Sequence, residues 1–214
     1  MQGSIKVNSK KLTDHLHKDR YGDFWLTDAI RPSLQHQIIP RQGYRLETYQ
    51  DRSKTIQVPV LAAAVSRERL FDVFLELLDS VGDVVDIVLE TSHDSDGEAH
   101  RDLHRSRIDL PILQSHLYDF EDLLLHDGCT GIAVLSTTQP IEVQFDEHKL
   151  LVVYAEDLSP FEETMLAFDV ERDDNLSLIT EGEHLHNTNP KYVDQFDSLC
   201  YRLGVGDPAE PVNW

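Results

Sequence analysis

Residues 56–91 constrain the fold more than any other stretch, because their pattern predicts a strand, a helix and a second strand in succession. Residues 56–65 form an apolar run of β-strand character, and residues 84–91 form a second one. Between the two runs, six apolar residues recur at the spacing of one helical face: Leu70, Phe71, Phe74, Leu77, Leu78 and Val81. If the two strands share a sheet, this connection predicts that they run parallel.

The patterns that follow extend this unit into a layered domain. Helices are predicted over residues 110–126, 159–168 and 190–203, and strands over residues 131–137, 141–145, 150–155 and 176–180. The resulting order is β-α-β-α-β-β-β-α-β-α, which lacks the strict alternation of a doubly wound protein. It predicts an α/β fold, bordering on α+β, in which helices pack on a mixed β-sheet as a two-layer sandwich.

Charge divides the chain near residue 54. The whole chain carries 19 Lys and Arg against 39 Asp and Glu, a net charge of −20, whereas residues 1–54 carry ten basic and six acidic residues. We therefore predict a basic, mostly irregular N-terminal arm over residues 1–54, an acidic α/β domain over residues 55–206 and a C-terminal tail over residues 207–214. The arm is expected to pack on the body or on a second copy, which would form a homodimer.

Composition argues against several classes of function. An excess of acidic residues opposes binding of nucleic acid, whose phosphates require a basic surface. The longest apolar run, residues 58–65, has eight residues, against the roughly 20 of a membrane-spanning helix. We expect no nucleic-acid partner and no membrane association. The two cysteines and the absence of an apolar leader at the N-terminus are typical of a cytoplasmic protein.

The first functional hypothesis is a non-catalytic interaction module. The sequence contains no P-loop, GxGxxG, GxSxG, HExxH or CxxC motif. An acidic surface attracts a basic partner by electrostatic steering. These features favour a domain that binds a protein partner or a second copy of itself and needs no cofactor.

Two segments rich in histidine and acidic residues support an alternative hypothesis. Each segment follows a predicted strand, and imidazole and carboxylate groups bind zinc or manganese. Ligands of parallel sheets bind beyond the carboxyl ends of the strands, so we expect both segments to meet at one edge, with residues 136–138 lining the same crevice. The candidate metal ligands are His93, Asp94, Asp96, His100 and His104 in the first segment, and His184 and His186 in the second.

The alternative is a metal-dependent hydrolase or a metal-binding domain. A divalent metal such as Zn or Mn would lower the pKa of a bound water, and Glu183 would be the general base. A simpler interpretation competes with it, since 11 histidines and 39 acidic residues in 214 residues form such clusters by chance. The sequence leaves the interaction module and the metal site both open.

Overall fold

The chain folds around one long sheet. The computed structural model describes residues 15–33, 38–51, 55–93 and 100–205. Its strands are β1 (Arg20–Tyr21), β2 (Phe24–Trp25), β3 (Ile30–Pro32), β4 (Gly43–Gln50), β5 (Gln57–Ala64), β6 (Val84–Thr91), β7 (Arg101–Asp109), β8 (Thr130–Ser136), β9 (Glu142–Phe145), β10 (Leu151–Tyr154) and β11 (His184–His186). Its helices are α1 (Arg67–Leu78), α2 (Leu110–Asp119), α3 (Glu121–His126), α4 (Ser159–Ala167) and α5 (Pro190–Leu203), with a 3-10 turn at Ile179–Glu181.

Seven strands form the main sheet, in the order β4-β5-β10-β9-β8-β6-β7. The predicted α/β sandwich is confirmed as a fold class, but the sheet is not mixed. Every neighbouring pair of strands in it is antiparallel, because the chain returns on itself through hairpins such as β4–β5 and β9–β10. Strands β5 and β6 do point the same way, as expected, yet β10, β9 and β8 lie between them.

Strand alternation divides the sheet into two faces with different coverings. Along β5, Leu61 and Ala63 belong to the large core that the helices α1 to α5 cover. Ala62 and Ala64 belong to a smaller cluster on the opposite face, together with Phe24 from the N-terminal arm. The helices therefore form one layer, and the arm covers part of the sheet's other side.

The strand β7 was not predicted from the sequence, because a bulge disguises its alternation. Its buried residues Leu103 and Ile108 are five positions apart. Arg107 lies between them with φ +58°, and its backbone N–H donates to Oδ1 of Asp86 at 2.7 Å. The pairing of β6 with β7 shifts register at this point. An extra residue in the strand thus breaks the period of two on which sequence patterns depend.

Two other predicted elements differ from the structure. The helix over residues 110–126 is two helices, α2 and α3, separated by the non-helical backbone of Phe120. The prediction of a strand over residues 176–180 is wrong. In this described part of the chain, Leu176 and Leu178 pack on the arm side of the sheet without joining a strand, and a 3-10 turn follows. The apolar residues at these positions therefore reflect burial and not strand pairing.

The N-terminal arm is held to the body by backbone pairing. Strand β4 is an edge strand of the main sheet, and β3 pairs with β11 far along the chain. The Arg31 side chain is buried, and its guanidinium donates to the carbonyl oxygens of Leu16 and Ile30. Within the described ranges, no helix is long and apolar enough to cross a membrane.

The Phe74→Ala substitution is expected to lower the free energy of unfolding by about 3–5 kcal/mol. Phe74 is fully buried, and its ring packs edge-on against Phe145 with centroids 5.2 Å apart, so truncation removes apolar contact and leaves a cavity between α1 and the sheet. Leu166 on α4 is 74% exposed, so Leu166→Ala should change stability by less than about 0.5 kcal/mol. Urea denaturation of both variants measures this, and equal losses would contradict the assignment of the core.

Candidate metal centre

Three histidines from distant parts of the sequence converge at one end of the sheet. His148 lies in the turn between β9 and β10, and His184 and His186 are the two ends of β11. Each ring offers one nitrogen that can bind a metal, and these three nitrogens all lie within 4.8 Å of one another. The ring centroids are 4.7–5.1 Å apart. We refer to these three residues as the three-histidine group.

In every ring of this group, Nδ1 is hydrogen-bonded to an oxygen acceptor. Nδ1 of His148 lies 3.0 Å from Oδ2 of Asp146, Nδ1 of His184 lies 2.8 Å from the Gly182 carbonyl oxygen, and Nδ1 of His186 lies 2.6 Å from the Gly128 carbonyl oxygen. Carbonyl and carboxylate oxygens only accept hydrogen bonds, so each Nδ1 carries the proton and donates. In a neutral ring, Nε2 is then left with its lone pair, which is how metal-binding histidines are usually oriented.

The turn that carries His148 is organised by Asp146. The backbone N–H of Lys149 donates to the Asp146 carbonyl oxygen at 3.0 Å, and Lys149 takes φ +61° to close the turn. Oδ1 of Asp146 accepts from the backbone N–H of Leu150 at 2.8 Å. Its other carboxylate oxygen, Oδ2, accepts from the His148 ring. One carboxylate therefore holds both the turn and the imidazole.

Strand alternation places His184 and His186 on the same side of β11, because residues two apart in a strand point the same way. The strand is held by the N-terminal arm, since His184 pairs with Pro32 and His186 pairs with Ile30. Without that partner, β11 would be three residues of isolated backbone. The arm thus contributes to the site although it supplies no ligand to the group.

Gly128 is the point at which β11 reaches the main domain. Its backbone N–H donates to the Asn187 carbonyl oxygen at 2.8 Å, and the Asn187 N–H donates to the Ala29 carbonyl oxygen at 2.7 Å. A Cβ atom on Gly128 would lie 2.5 Å from the Ala29 oxygen and 2.8 Å from the Asn187 oxygen. A glycine just past a helix is typical of a helix cap, but this one is needed for the close approach of three backbone segments.

A second group of metal-ligand residue types flanks Gly128. Ligand atoms of His93, Asp127 and Cys129 all lie within 4.8 Å of one another. Nε2 of His93 lies 2.8 Å from Oδ2 of Asp127, and the Asp127 side chain is fully buried. We refer to these three residues as the His-Asp-Cys group.

Burial and neighbouring charges set the protonation of both groups. Burial lowers the pKa of His186, whereas at His148 the hydrogen bond that the ring donates to Asp146 outweighs burial and raises the pKa. Burial raises the pKa of the Cys129 thiol. At Asp127, the neighbouring His93 imidazole and hydrogen bonds from two threonine hydroxyls outweigh burial and lower the pKa. The resting site therefore combines imidazoles, an ionised Asp127 and a protonated thiol at neutral pH.

A buried lysine lies directly beneath the turn. Nζ of Lys149 donates to the Thr130 carbonyl oxygen at 2.8 Å, and burial lowers its pKa to about 8. The carboxylates of Asp146, Asp127 and Glu147 oppose that shift by favouring the ammonium form. The Lys149 ammonium partly balances the carboxylates that act on it.

Glu147, not the predicted Glu183, is the carboxylate whose charge acts on two rings of the three-histidine group. The charge of Glu147 raises the pKa of both His148 and His186, against the effect of burial. Its Oε2 accepts from the hydroxyl of Ser92 at 3.2 Å. Glu183 instead accepts from the hydroxyl of Ser33, at 3.4 Å. Because Glu147 lies in a turn next to a single histidine, the sequence offered little signal for it.

The predicted metal ligands divide among several places. His184 and His186 come together, but with His148, which was not predicted, and His93 belongs to the other group. His100 lies 3.7 Å from Oε1 of Glu147, and His104 is exposed on β7. Asp94 and Asp96 lie outside the described residues.

The prediction that residues 136–138 line a crevice shared with the two histidine-rich segments is wrong. In the antiparallel sheet, Thr130 at the start of β8 pairs with Thr91 at the end of β6, and Ser136 pairs with Val85. The carboxyl end of β8 therefore lies at the opposite end of the sheet from His93. The rule for parallel strands does not apply, because neighbouring strands here point in opposite directions.

Comparison with known proteins adds no information about function. No protein-family model matches the chain, and neither the curated proteins nor the solved structures contain a match. The geometry of the two groups is therefore the basis of the proposed function.

The Gly128→Ala substitution is expected to destabilise the protein by about 1–3 kcal/mol, because the added Cβ forces backbone atoms apart. It should also displace β11, since two of the backbone segments around Gly128 carry oxygens within 3 Å of the new atom. Gly22 provides the control: it has φ +64° and open space around it, so Gly22→Ala carries only left-handed strain of about 1–2 kcal/mol.

Thermal unfolding and the imidazole resonances of His184 and His186 in NMR spectra measure the two effects. Unchanged histidine resonances in Gly128→Ala would contradict the role of Gly128 in positioning the site, whatever the change in stability.

Proposed function

We propose that this protein binds a divalent metal ion of the zinc type through Nε2 of His148, His184 and His186. The observation that carries the proposal is that all three Nδ1 atoms are engaged by oxygen acceptors while the rings converge. A histidine that donates its Nδ1–H to an oxygen acceptor is fixed in the tautomer that binds metal through Nε2. Three protein ligands leave a coordination position for water or substrate, as in catalytic zinc sites.

The chemistry that follows is hydrolysis. A zinc ion held by three neutral imidazoles lowers the pKa of a bound water to about 7. Glu147 is the carboxylate best placed to accept the proton of that water, because its charge acts on two of the three imidazoles. This proposal keeps the predicted metal-dependent hydrolase but replaces Glu183 by Glu147 as the general base.

The interaction module stays a prediction from charge. It rests on the basic arm, the acidic body and the missing catalytic motifs, and a partner protein or a second copy would be its ligand. The convergence of three oriented imidazoles is a more specific observation, so we give the metal centre precedence.

The unsubstituted protein, purified without chelator, is expected to contain zinc, and His184→Ala should abolish binding at the three-histidine group because two ligands hold the ion poorly. The matched control is His104→Ala, which removes an exposed histidine on β7 and should leave the metal content unchanged. Elemental analysis by mass spectrometry, with circular dichroism to check folding, measures both. Equal metal content in the two variants would refute the three-histidine site.

The Glu147→Gln substitution is expected to reduce kcat by about 10²–10⁴-fold while the metal content stays the same, because it removes the general base and keeps the ligands. The zinc-loaded protein would be tested on p-nitrophenyl acetate and bis(p-nitrophenyl) phosphate. Glu183→Gln is the control and should retain activity. Hydrolysis that is insensitive to Glu147, or lost equally in both variants, would exclude the proposed base.

A further inference from the structure

The His-Asp-Cys group contains a buried nitrogen for which the described residues provide no hydrogen-bond partner. The His93 side chain is 8% exposed, and Nδ1 lies 3.0 Å from the Thr91 hydroxyl. Nε2 finds no hydrogen-bond partner among the described residues, although Oδ2 of Asp127 lies 2.8 Å away. A buried polar atom left in this state costs free energy and calls for a ligand that would satisfy it.

The other two members are oriented as ligands would be. The Thr130 hydroxyl donates to Oδ2 of Asp127 at 2.6 Å, and the Thr188 hydroxyl donates to Oδ1 at 2.5 Å. Hydroxyl groups of Ser92 and Thr188 also contact the thiol of Cys129. Such outer partners fix the direction of ligating groups in metal sites.

We propose that His93, Asp127 and Cys129 bind a second divalent cation of the zinc type, at a site distinct from the three-histidine group. An imidazole nitrogen, a carboxylate oxygen and a thiolate sulfur form a donor set that suits zinc. Binding releases the thiol proton to solvent, so the sulfur coordinates as thiolate. The ion would lie between the ligand atoms of these three residues, which are all within 4.8 Å of one another.

The second site is linked to the first through one peptide segment. Asp127 and Cys129 flank Gly128, whose carbonyl oxygen accepts from the His186 ring. An ion bound to both flanking side chains would hold that carbonyl in place. The second ion is therefore structural for the first centre, although it stands on its own residues and does not require the proposed hydrolase activity.

Cobalt titration of the full chain tests the second site, because a cysteine thiolate bound to Co²⁺ gives a charge-transfer band in the near ultraviolet and imidazole ligands do not. We expect two Co²⁺ ions per chain and this band in the unsubstituted protein. The His184→Ala/His186→Ala variant should keep the band and one ion. Cys129→Ser should lose the band and one ion. Cys200→Ser, which removes the other cysteine, should keep the band and both ions.

The outcomes separate the two proposals. No band in the unsubstituted protein, a band that depends on Cys200, or two ions retained in Cys129→Ser would each overturn the second site. A band that disappears in the His184→Ala/His186→Ala variant would place Cys129 on the same ion as the histidines and would also overturn it. If the unsubstituted protein binds one ion, and its band is unchanged in the His184→Ala/His186→Ala variant, the second site is supported and the three-histidine site is refuted.

Discussion

The close approach at Gly128 is the constraint on which the site depends. Three backbone segments meet there through two hydrogen bonds, from Gly128 to Asn187 and from Asn187 to Ala29, at a distance that excludes any side chain. The carbonyl of the same residue then orients His186. A short three-residue strand such as β11 has little stability by itself. Its position follows from these contacts and from β3, so the N-terminal arm is part of the site's framework.

The antiparallel sheet explains why distant residues gather at one end. The end of β6 lies beside the start of β8, where Thr91 pairs with Thr130. The hairpin between β9 and β10 is at the same end, because Phe145 pairs with both Ile132 and Leu151. His93, Asp127 and His148 follow or precede these three strand ends. A parallel arrangement would have separated them, since the end of β6 and the start of β8 would then lie at opposite edges of the sheet.

Sequence patterns predicted the elements better than their meeting points. The apolar spacing identified β5, α1 and β6, and composition alone marked His93, His184 and His186 as candidates. The spacing of apolar residues indicates which face of a helix or strand is buried, but it does not indicate which strand lies beside it. His148 sits in a four-residue turn that the pattern marks only as a hairpin connection, and Asp127 and Cys129 border a glycine that resembles a helix cap. Their convergence depends on strand order, which only the folded structure supplies.

The local charges favour a cation at this end of the molecule. The three imidazoles are neutral when they bind metal, so the charged groups that the structure describes beside them include the carboxylates of Asp127, Asp146 and Glu147 and the ammonium of Lys149. Lys149 is fully enclosed and already donates to the Thr130 carbonyl oxygen, so it cannot reach an anion from solvent. Three carboxylates against one buried ammonium leave a local negative charge, within a chain whose net charge is −20. A divalent cation offsets that charge, whereas a phosphate or carboxylate ligand would add to it unless the cation were bound first.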